Sequence, residues 1–170
     1  ADKDLLAELA GQIVRRYSLV DKPKAVNLKK AHLGLTGAKD VLHQQIKILT
    51  VQLAFFHSYH DLQIIAVYDP IYEEEFAWMR WLPHLRLRSV NVLGMVSSPR
   101  ARDLVLGSMY QILKDRAGRS GDGKKTGGYL PHYLFLIDEP TWILNHGIMV
   151  YPYMDGSALG FSFVYTSDIQ

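Results

Sequence analysis

Apolar residues along the chain form short continuous runs and longer helical stripes, which predict alternating strands and helices. The runs 62–67 (LQIIAV) and 132–137 (HYLFLI) are typical of strands buried on both faces of a parallel sheet. A shorter buried strand at 31–35 is followed by a glycine turn and a long helix. The predicted strands, in chain order, are 25–28, 31–35, 62–67, 85–92, 132–137 and 160–166.

Helical periodicity lies between these strands. The segment from Ala38 to about His57 is so widely apolar that we predict a helix buried against the sheet. Ser98 and Pro99 supply an N-cap hydroxyl and a first-turn proline for a helix that runs to about Arg116. Because strand, helix and strand follow one another, the strands are expected to be parallel. The pattern predicts a three-layer α/β fold, with a mostly parallel sheet and helices on both faces. The other predicted helices are 4–17, 72–82 and 144–154.

Composition fits one globular domain over residues 1–170. Apolar residues make up 48% and charged residues 21% of the chain, which are ordinary proportions for such a domain. A net charge of +2 gives no electrostatic case for binding nucleic acid. The chain has no cysteine, which excludes disulfides and thiolate chemistry. Residues 117–130 (AGRSGDGKKTGGYL) have the composition of a flexible loop.

The turn at 36–38 lies where an ATPase fold would hold its nucleotide. A phosphate-binding loop has the pattern G-x-x-x-x-G-K-[ST] between a strand and a helix, and its lysine and hydroxyl serve phosphate and Mg²⁺. Here Gly37 and Lys39 stand in the right context, but the turn is too short to wrap a triphosphate. Asp40 replaces the hydroxyl, and its carboxylate repels phosphate at the helix N-terminus. The sequence thus predicts an ATPase-like scaffold with a degenerate nucleotide site.

Asp138 and Glu139 follow the apolar run 132–137, as the two carboxylates of a Walker B segment follow theirs. In a working site the aspartate serves Mg²⁺ and the glutamate activates water. Acidic residues also end strands for solubility, and without a phosphate cradle the pair has no metal-nucleotide to act on. We therefore predict that this pair belongs to the degenerate site and that neither residue is catalytic.

Two further features are weaker candidates for chemistry. The run 118–125 (GRSGDGKK) matches most of the P-loop pattern, but no strand precedes it and no helix follows it. The histidines at 43, 57 and 60 have no acidic or cysteine cluster at metal-ligand spacing. We predict neither a second phosphate site nor a metal site.

Aromatic and basic residues surround Pro83. Trp78 and Trp81 fall on one face of the predicted helix, and Pro83 fixes the direction in which the chain leaves it. Tryptophan and arginine are over-represented at interface hot spots. One interpretation places both tryptophans in the core; the other makes this region a contact surface for a neighbouring domain or subunit. The candidate surface consists of Trp78, Trp81, His84, Arg86 and Arg88.

The run 78–84 (WMRWLPH) resembles a fingerprint of the membrane-anchored FtsK/SpoIIIE-type ATPases of type VII (ESX/Ess) secretion systems, the EssC- and EccC-like proteins. Neighbouring segments agree in order: 56–62 (FHSYHDL), 100–102 (RAR) and 130–132 (LPH). In that family these features fall in the domain of unknown function between the transmembrane helices and the first true ATPase domain. The resemblance covers almost the whole chain.

The resemblance implies a parent motor protein with several tandem ATPase domains, homo-oligomeric when active and anchored at the cytoplasmic side of the bacterial membrane. It implies a P-loop-NTPase-like (RecA/FtsK-like) fold in this segment, with no cofactor here and with ATP and Mg²⁺ bound by the parent's other domains. Residues 1–20 would then lead from the membrane anchor. The expected partners are the adjacent ATPase domains, type VII membrane subunits and secreted WXG-type substrates, and not nucleic acid.

Three functions stay open at this stage. The preferred one is a non-catalytic coupling or regulatory domain that links the membrane anchor to the motor domains in protein export. The second is an active nucleotide hydrolase that uses Lys39, Asp138 and Glu139. The third is a docking module for a secreted substrate or a membrane subunit.

Overall fold

Seven strands and four α-helices make up the part of the chain that the structure describes. This computed structural model describes residues 25–119, 128–153 and 156–168. The strands are β1 (Leu33–Gly37), β2 (Leu62–Val67), β3 (Arg86–Leu87), β4 (Val92–Leu93), β5 (Met95–Val96), β6 (His132–Ile137) and β7 (Phe161–Asp168). The helices are α1 (Lys39–Phe56), α2 (Glu73–Phe76), α3 (Pro99–Arg119) and α4 (Gly156–Leu159).

The main sheet is parallel, with strand order β1-β7-β6-β2-β5, and β3 pairs with β4 in a separate antiparallel hairpin. In the middle of the sheet Ile64 of β2 lies opposite Leu134 of β6, and Leu136 lies opposite Val164 of β7. Because all five strands are parallel, their carboxyl ends meet at one edge, where open α/β sheets bind ligands. The predicted α/β fold with a mostly parallel sheet is confirmed.

Helices pack on both faces of this sheet and enclose two apolar clusters. Successive side chains of a strand point to opposite faces. Ile64 and Ala66 of β2 therefore join the cluster under α1, and Ile65 and Val67 join the cluster under α3. β2 and β6 are buried along their whole length, as their continuous apolar runs predict.

Arg116 fixes the end of α3 to the sheet. Its guanidinium donates a hydrogen bond to the Pro131 carbonyl oxygen at 2.9 Å, and burial lowers its pKa. Because this anchor holds the last helical turn, residues 117–119 are helical and the predicted loop 117–130 is wrong at its start. Residues 120–127 lie outside the described part of the chain.

Four predicted strands differ from the structure, and the one at 160–166 differs least, because β7 covers Phe161–Asp168. Residues 25–28 form no strand, because the Asn27 side chain accepts a hydrogen bond from the Lys29 N–H at 3.1 Å and a turn forms instead. β1 starts two residues later than predicted and is only partly covered, since it is the edge strand. The predicted strand 85–92 is reduced to β3, because the chain turns back at 88–91 to form the hairpin with β4.

α1 is half exposed, contrary to the prediction that it is buried. Only one stripe of its side chains, which includes Leu42 and Ile46, is buried. Phe55 and Phe56 are 81% and 75% exposed. A helix on the outer face of a sheet buries one side only, so apolar composition overstated its burial. The exposed apolar residues of α1 are Val41, Ile48, Val51, Phe55 and Phe56.

The remaining helix predictions are met only in part. The segment predicted at 72–82 is one α-helical turn, α2, followed by a 3₁₀ segment over Ala77–Trp81. The segment predicted at 144–154 is a 3₁₀ segment over Gly147–Tyr153 that contains a proline. The helix predicted at 4–17, within the segment 1–20, lies outside the described residues. Neither α1 nor any other helix of the described residues is long and apolar enough to cross a membrane.

Candidate functional site

Lys39 and Asp138 meet at the carboxyl edge of the sheet. β1 passes into α1 through Ala38 alone, which puts Lys39 in the first helical turn. Asp138 follows β6 directly. The Lys39 Nζ atom lies 2.9 Å from Asp138 Oδ2, and the Asp138 side chain is only 1% exposed. The structure thus brings together two residues that the sequence assigned to one degenerate site.

Two further side chains complete the hydrogen bonding of Asp138. Thr166 of β7 donates its hydroxyl to Asp138 Oδ1 at 2.7 Å, and His43 Nε2 lies 3.1 Å from Oδ2. A buried carboxylate needs such partners, because desolvation strongly disfavours it otherwise. A metal ion would have to displace one of these contacts. Within the described residues, no group of three or more His, Asp or Glu side chains could hold a metal ion.

His43 links this ion pair to α2. Its Nδ1 atom contacts the Glu75 carboxylate. Its ring packs edge-on against Tyr72 and Phe76, with centroids 4.6 Å and 5.2 Å apart. The result is a continuous polar chain from Glu75 through buried His43 to Asp138. Of these partners of His43, the sequence singled out Asp138 but not Tyr72, Glu75 or Phe76.

A second polar cluster surrounds Glu73 at the start of α2. Tyr68, which follows β2, donates its hydroxyl to Glu73 Oε2 at 2.7 Å, and Ser97 donates to the same oxygen at 3.2 Å. Arg80 pairs with Glu73 Oε1 at 2.8 Å. Burial, followed by the hydrogen bond to Glu73, raises the pKa of Tyr68 to about 12. The phenol therefore keeps its proton and remains a donor at neutral pH.

The start of α1 does not fit a Mg²⁺-nucleotide. A phosphate cradle needs a loop of several residues whose N–H groups converge before the helix, and one residue separates β1 from α1. A Cβ on Gly37 would meet Leu42 at an ordinary 3.8 Å, so the turn does not require glycine. Asp40 is exposed on α1. Glu139 Oε1 accepts a hydrogen bond from the Thr141 N–H at 3.0 Å, which makes it a cap for the following 3₁₀ turn.

A second candidate surface lies outside the β3–β4 hairpin. Arg86 lies opposite Leu93 across the hairpin, and both are exposed. Trp81 is 83% exposed, so the interpretation that places it in the core fails. With Arg88 these residues line a groove of about 390 Å³, and none of the described residues that line it is acidic.

Two residues of the predicted surface lie elsewhere. His84 is only 4% exposed, because its Nε2 atom donates to the His57 carbonyl oxygen at 2.8 Å; it is therefore wrong as a contact residue. Trp78 packs half-buried against the cluster under α1, and Lys47 Nζ lies 5.8 Å from the centroid of its ring. The two tryptophans point to different surfaces, because the short 3₁₀ turns replace the predicted regular helix.

The chain is similar to type VII secretion proteins over 98% of its length. It is 30% identical over 168 residues to the ESX secretion system protein EccC of Geobacillus thermodenitrificans. It is also 30% identical over 171 residues to the type VII secretion system protein EssC of Staphylococcus aureus strain MSSA476. The chain spans only 11% and 12% of the length of these two relatives.

A solved structure shares the fold. The cytoplasmic domain of the Thermomonospora curvata type VII secretion ATPase EccC matches with a TM-score of 0.55 and 8% identity, over 86% of this chain and 17% of that chain. At this identity the match shows the fold alone. No protein-family profile matches the chain. The near-complete alignments and the shared α/β fold confirm the resemblance found in the sequence: the chain is an EssC/EccC-like segment.

Proposed function

We propose that this chain is a non-catalytic, ATPase-like coupling domain of a type VII secretion motor. In this role it links a membrane anchor, on the cytoplasmic side of the bacterial membrane, to the ATPase domains of the same protein. The proposed partners are those ATPase domains and the membrane subunits of the secretion system, in a homo-oligomeric parent. The similarity to EccC and EssC supports the role in secretion.

The contact between Lys39 and Asp138 carries the non-catalytic part of the proposal. In a P-loop ATPase the lysine binds the β- and γ-phosphates, and the acidic residue serves Mg²⁺. Here the two charges are paired with each other at 2.9 Å. Thr166 and His43 hold the same carboxylate from other sides. A nucleotide would have to break these contacts around a buried charge, which is unfavourable.

The same contacts suit a domain that transmits force. Lys39 and His43 belong to α1, Asp138 follows β6, Thr166 belongs to β7 and Glu75 belongs to α2. One polar network therefore ties two helices to two strands. A displacement of α1 or α2 is passed to the sheet through this network, since no flexible phosphate loop lies between them.

Calorimetric titration of the chain with ATP and Mg²⁺ tests the proposal. We expect no binding tighter than about 100 μM, a free energy of about −5.5 kcal/mol. Lys39→Ala is the matched control, because it removes the amine that an active site would use. Tighter binding that disappears in Lys39→Ala would mean a working nucleotide site and would contradict the proposal.

A further inference from the structure

We propose that the groove outside the β3–β4 hairpin binds an acidic polypeptide segment that carries an apolar or aromatic side chain. We call it the hairpin groove and define it by Trp81, Arg86, Arg88 and Leu93. The inference rests on the proposed coupling function, because it names the chemistry of the partner through which this domain is coupled.

The groove carries positive charge that this chain does not neutralise within the described residues. The salt bridges of those residues include neither Arg86 nor Arg88. Arg80, which also lines the groove, differs because it pairs with Glu73 at 2.8 Å. A guanidinium binds a carboxylate through two parallel charge-assisted hydrogen bonds. Arg86 and Arg88 therefore complement a segment that presents carboxylates.

The backbone of Arg86 and the guanidinium of Arg88 are held in place before any partner arrives. Arg86 is part of β3, and its register opposite Leu93 sets its direction. The Arg88 guanidinium lies 4.2 Å from the centroid of the Tyr59 ring, a cation–π contact. Stacking through its face leaves the N–H groups at the edge of a planar guanidinium able to donate. Such preorganisation lowers the entropy lost on binding.

An apolar anchor site lies beside these charges. Trp81 is 83% and Leu93 is 41% exposed. A tryptophan that becomes buried on binding strongly stabilises the complex, and tryptophan and arginine are enriched at the hot spots of protein interfaces. The groove has a volume of about 390 Å³, within the usual range for sites that enclose a small ligand. A concave site of this size fits an inserted side chain better than a flat lipid surface.

Selection of random short peptides displayed on phage against the chain tests the inference without assuming a sequence. We expect the selected peptides to be enriched in Asp and Glu next to Leu or an aromatic residue. Synthetic copies should bind at least about tenfold more weakly to Trp81→Ala and to the Arg86→Glu/Arg88→Glu double variant. Arg100→Glu/Lys114→Glu is the matched control for charge reversal, because both residues are exposed and neither lines the groove.

Charge exchange makes the test specific. Synthetic peptides in which Lys replaces Asp and Glu should bind the Arg86→Glu/Arg88→Glu variant and should not bind the unsubstituted chain. All variants should melt within about 4 °C of the unsubstituted chain, because the substituted side chains are exposed and the contact of Arg88 with Tyr59 is a weak one. A selection without acidic enrichment, an empty selection, or equal binding to every variant would overturn the inference. The inference would also be overturned if no peptide bound and the chain instead bound phosphatidylglycerol vesicles, with that binding lost in the same variants.

The outcome is separable from that of the proposed function. None of these substitutions touches Lys39 or Asp138, so the ATP titration is independent of them. If the chain binds no acidic peptide, the proposal that it is non-catalytic is unaffected. If ATP binds and its binding depends on Lys39, the non-catalytic proposal is contradicted, but peptide binding at the hairpin groove is not.

Discussion

Lys39 and Asp138 stand at the ends of β1 and β6, two strands that are separated in the sheet by β7, yet their Nζ and Oδ2 atoms lie 2.9 Å apart. Thr166 on the intervening strand bonds the other carboxylate oxygen. This carboxylate therefore joins the ends of β6 and β7 to the first turn of α1, which follows β1. In an ATPase these positions hold phosphate and Mg²⁺; here they hold each other.

Asp138→Ala should be among the most destabilising substitutions at this edge. It removes the buried partner of Lys39 and His43, and breaking a buried pair in this way costs about 3–5 kcal/mol. Because the Lys39 side chain is 25% exposed and can return to water, we expect the lower end of that range. Chemical denaturation of the chain measures the loss. Asp40→Ala is the control, and a similar loss in both variants would show that the network adds no stability.

In the full-length protein, Asp138→Asn and Glu139→Gln should leave the ATPase rate within about twofold of that of the unsubstituted protein. The proposed function places neither carboxylate near a reacting phosphate, and both amides retain an oxygen that accepts hydrogen bonds. The same kind of substitution in an intact Walker B segment elsewhere in that protein is the positive control. Lost turnover in a folded Asp138→Asn variant would give this carboxylate a catalytic or metal role.

The local sequence pattern predicts the strands that are buried on both faces and the helix that begins with an N-cap residue. β2 and β6 read as continuous apolar runs because both their faces lie under helices. The Ser98 hydroxyl accepts from the Ala101 N–H at 3.2 Å, as expected for an N-cap. Lys39 and Asp138 could be paired in advance because both follow predicted parallel strands.

Apart from His43, the rest of the site depends on distant contacts that no local signal contains. His43 lies one helical turn after Lys39, and that spacing places both side chains on one face of α1; this signal could have identified it. Thr166 and Glu75 come from segments whose arrangement only the sheet order reveals. Apolar residues cover so much of α1 that their periodicity does not identify the side that packs on the sheet. For this reason the sequence predicts a buried helix, and the exposure of Phe55 and Phe56 is not expected.

His132, at the opposite edge of the sheet, should make stability depend on pH. Its Nε2 atom lies 2.8 Å from Ser162 Oγ, and burial, followed by Lys29 and Arg116, lowers its pKa to about 4 from 6.5. As pH falls from 6.5 toward 4, the unfolded chain binds this proton and the folded chain does not, so stability decreases over that window. We expect a lower melting temperature at about pH 5 than at about pH 7.

His132→Gln isolates this contribution to the pH dependence. Glutamine can still hydrogen-bond Ser162 but binds no proton in this range, so the fall in melting temperature between the two pH values should become smaller. Other groups that titrate in this window are present in both proteins, so their contributions cancel in the comparison. An unchanged fall in His132→Gln would mean that His132 is not responsible.

Trp78→Ala and Trp81→Ala should separate packing from contact. Trp78 is half-buried against the cluster under α1, so its loss should destabilise the chain by about 1–3 kcal/mol, less than a fully buried tryptophan. Trp81 is 83% exposed, and its loss should change stability by no more than about 0.5 kcal/mol. In the full-length protein, however, Trp81→Ala should reduce assembly or secretion, because the proposed partner loses its anchor. Denaturation of the chain measures the effect on stability, and a secretion assay of the full-length protein measures the effect on contact. If Trp81→Ala destabilised the chain as much as Trp78→Ala, Trp81 would be a packing residue and not a contact residue.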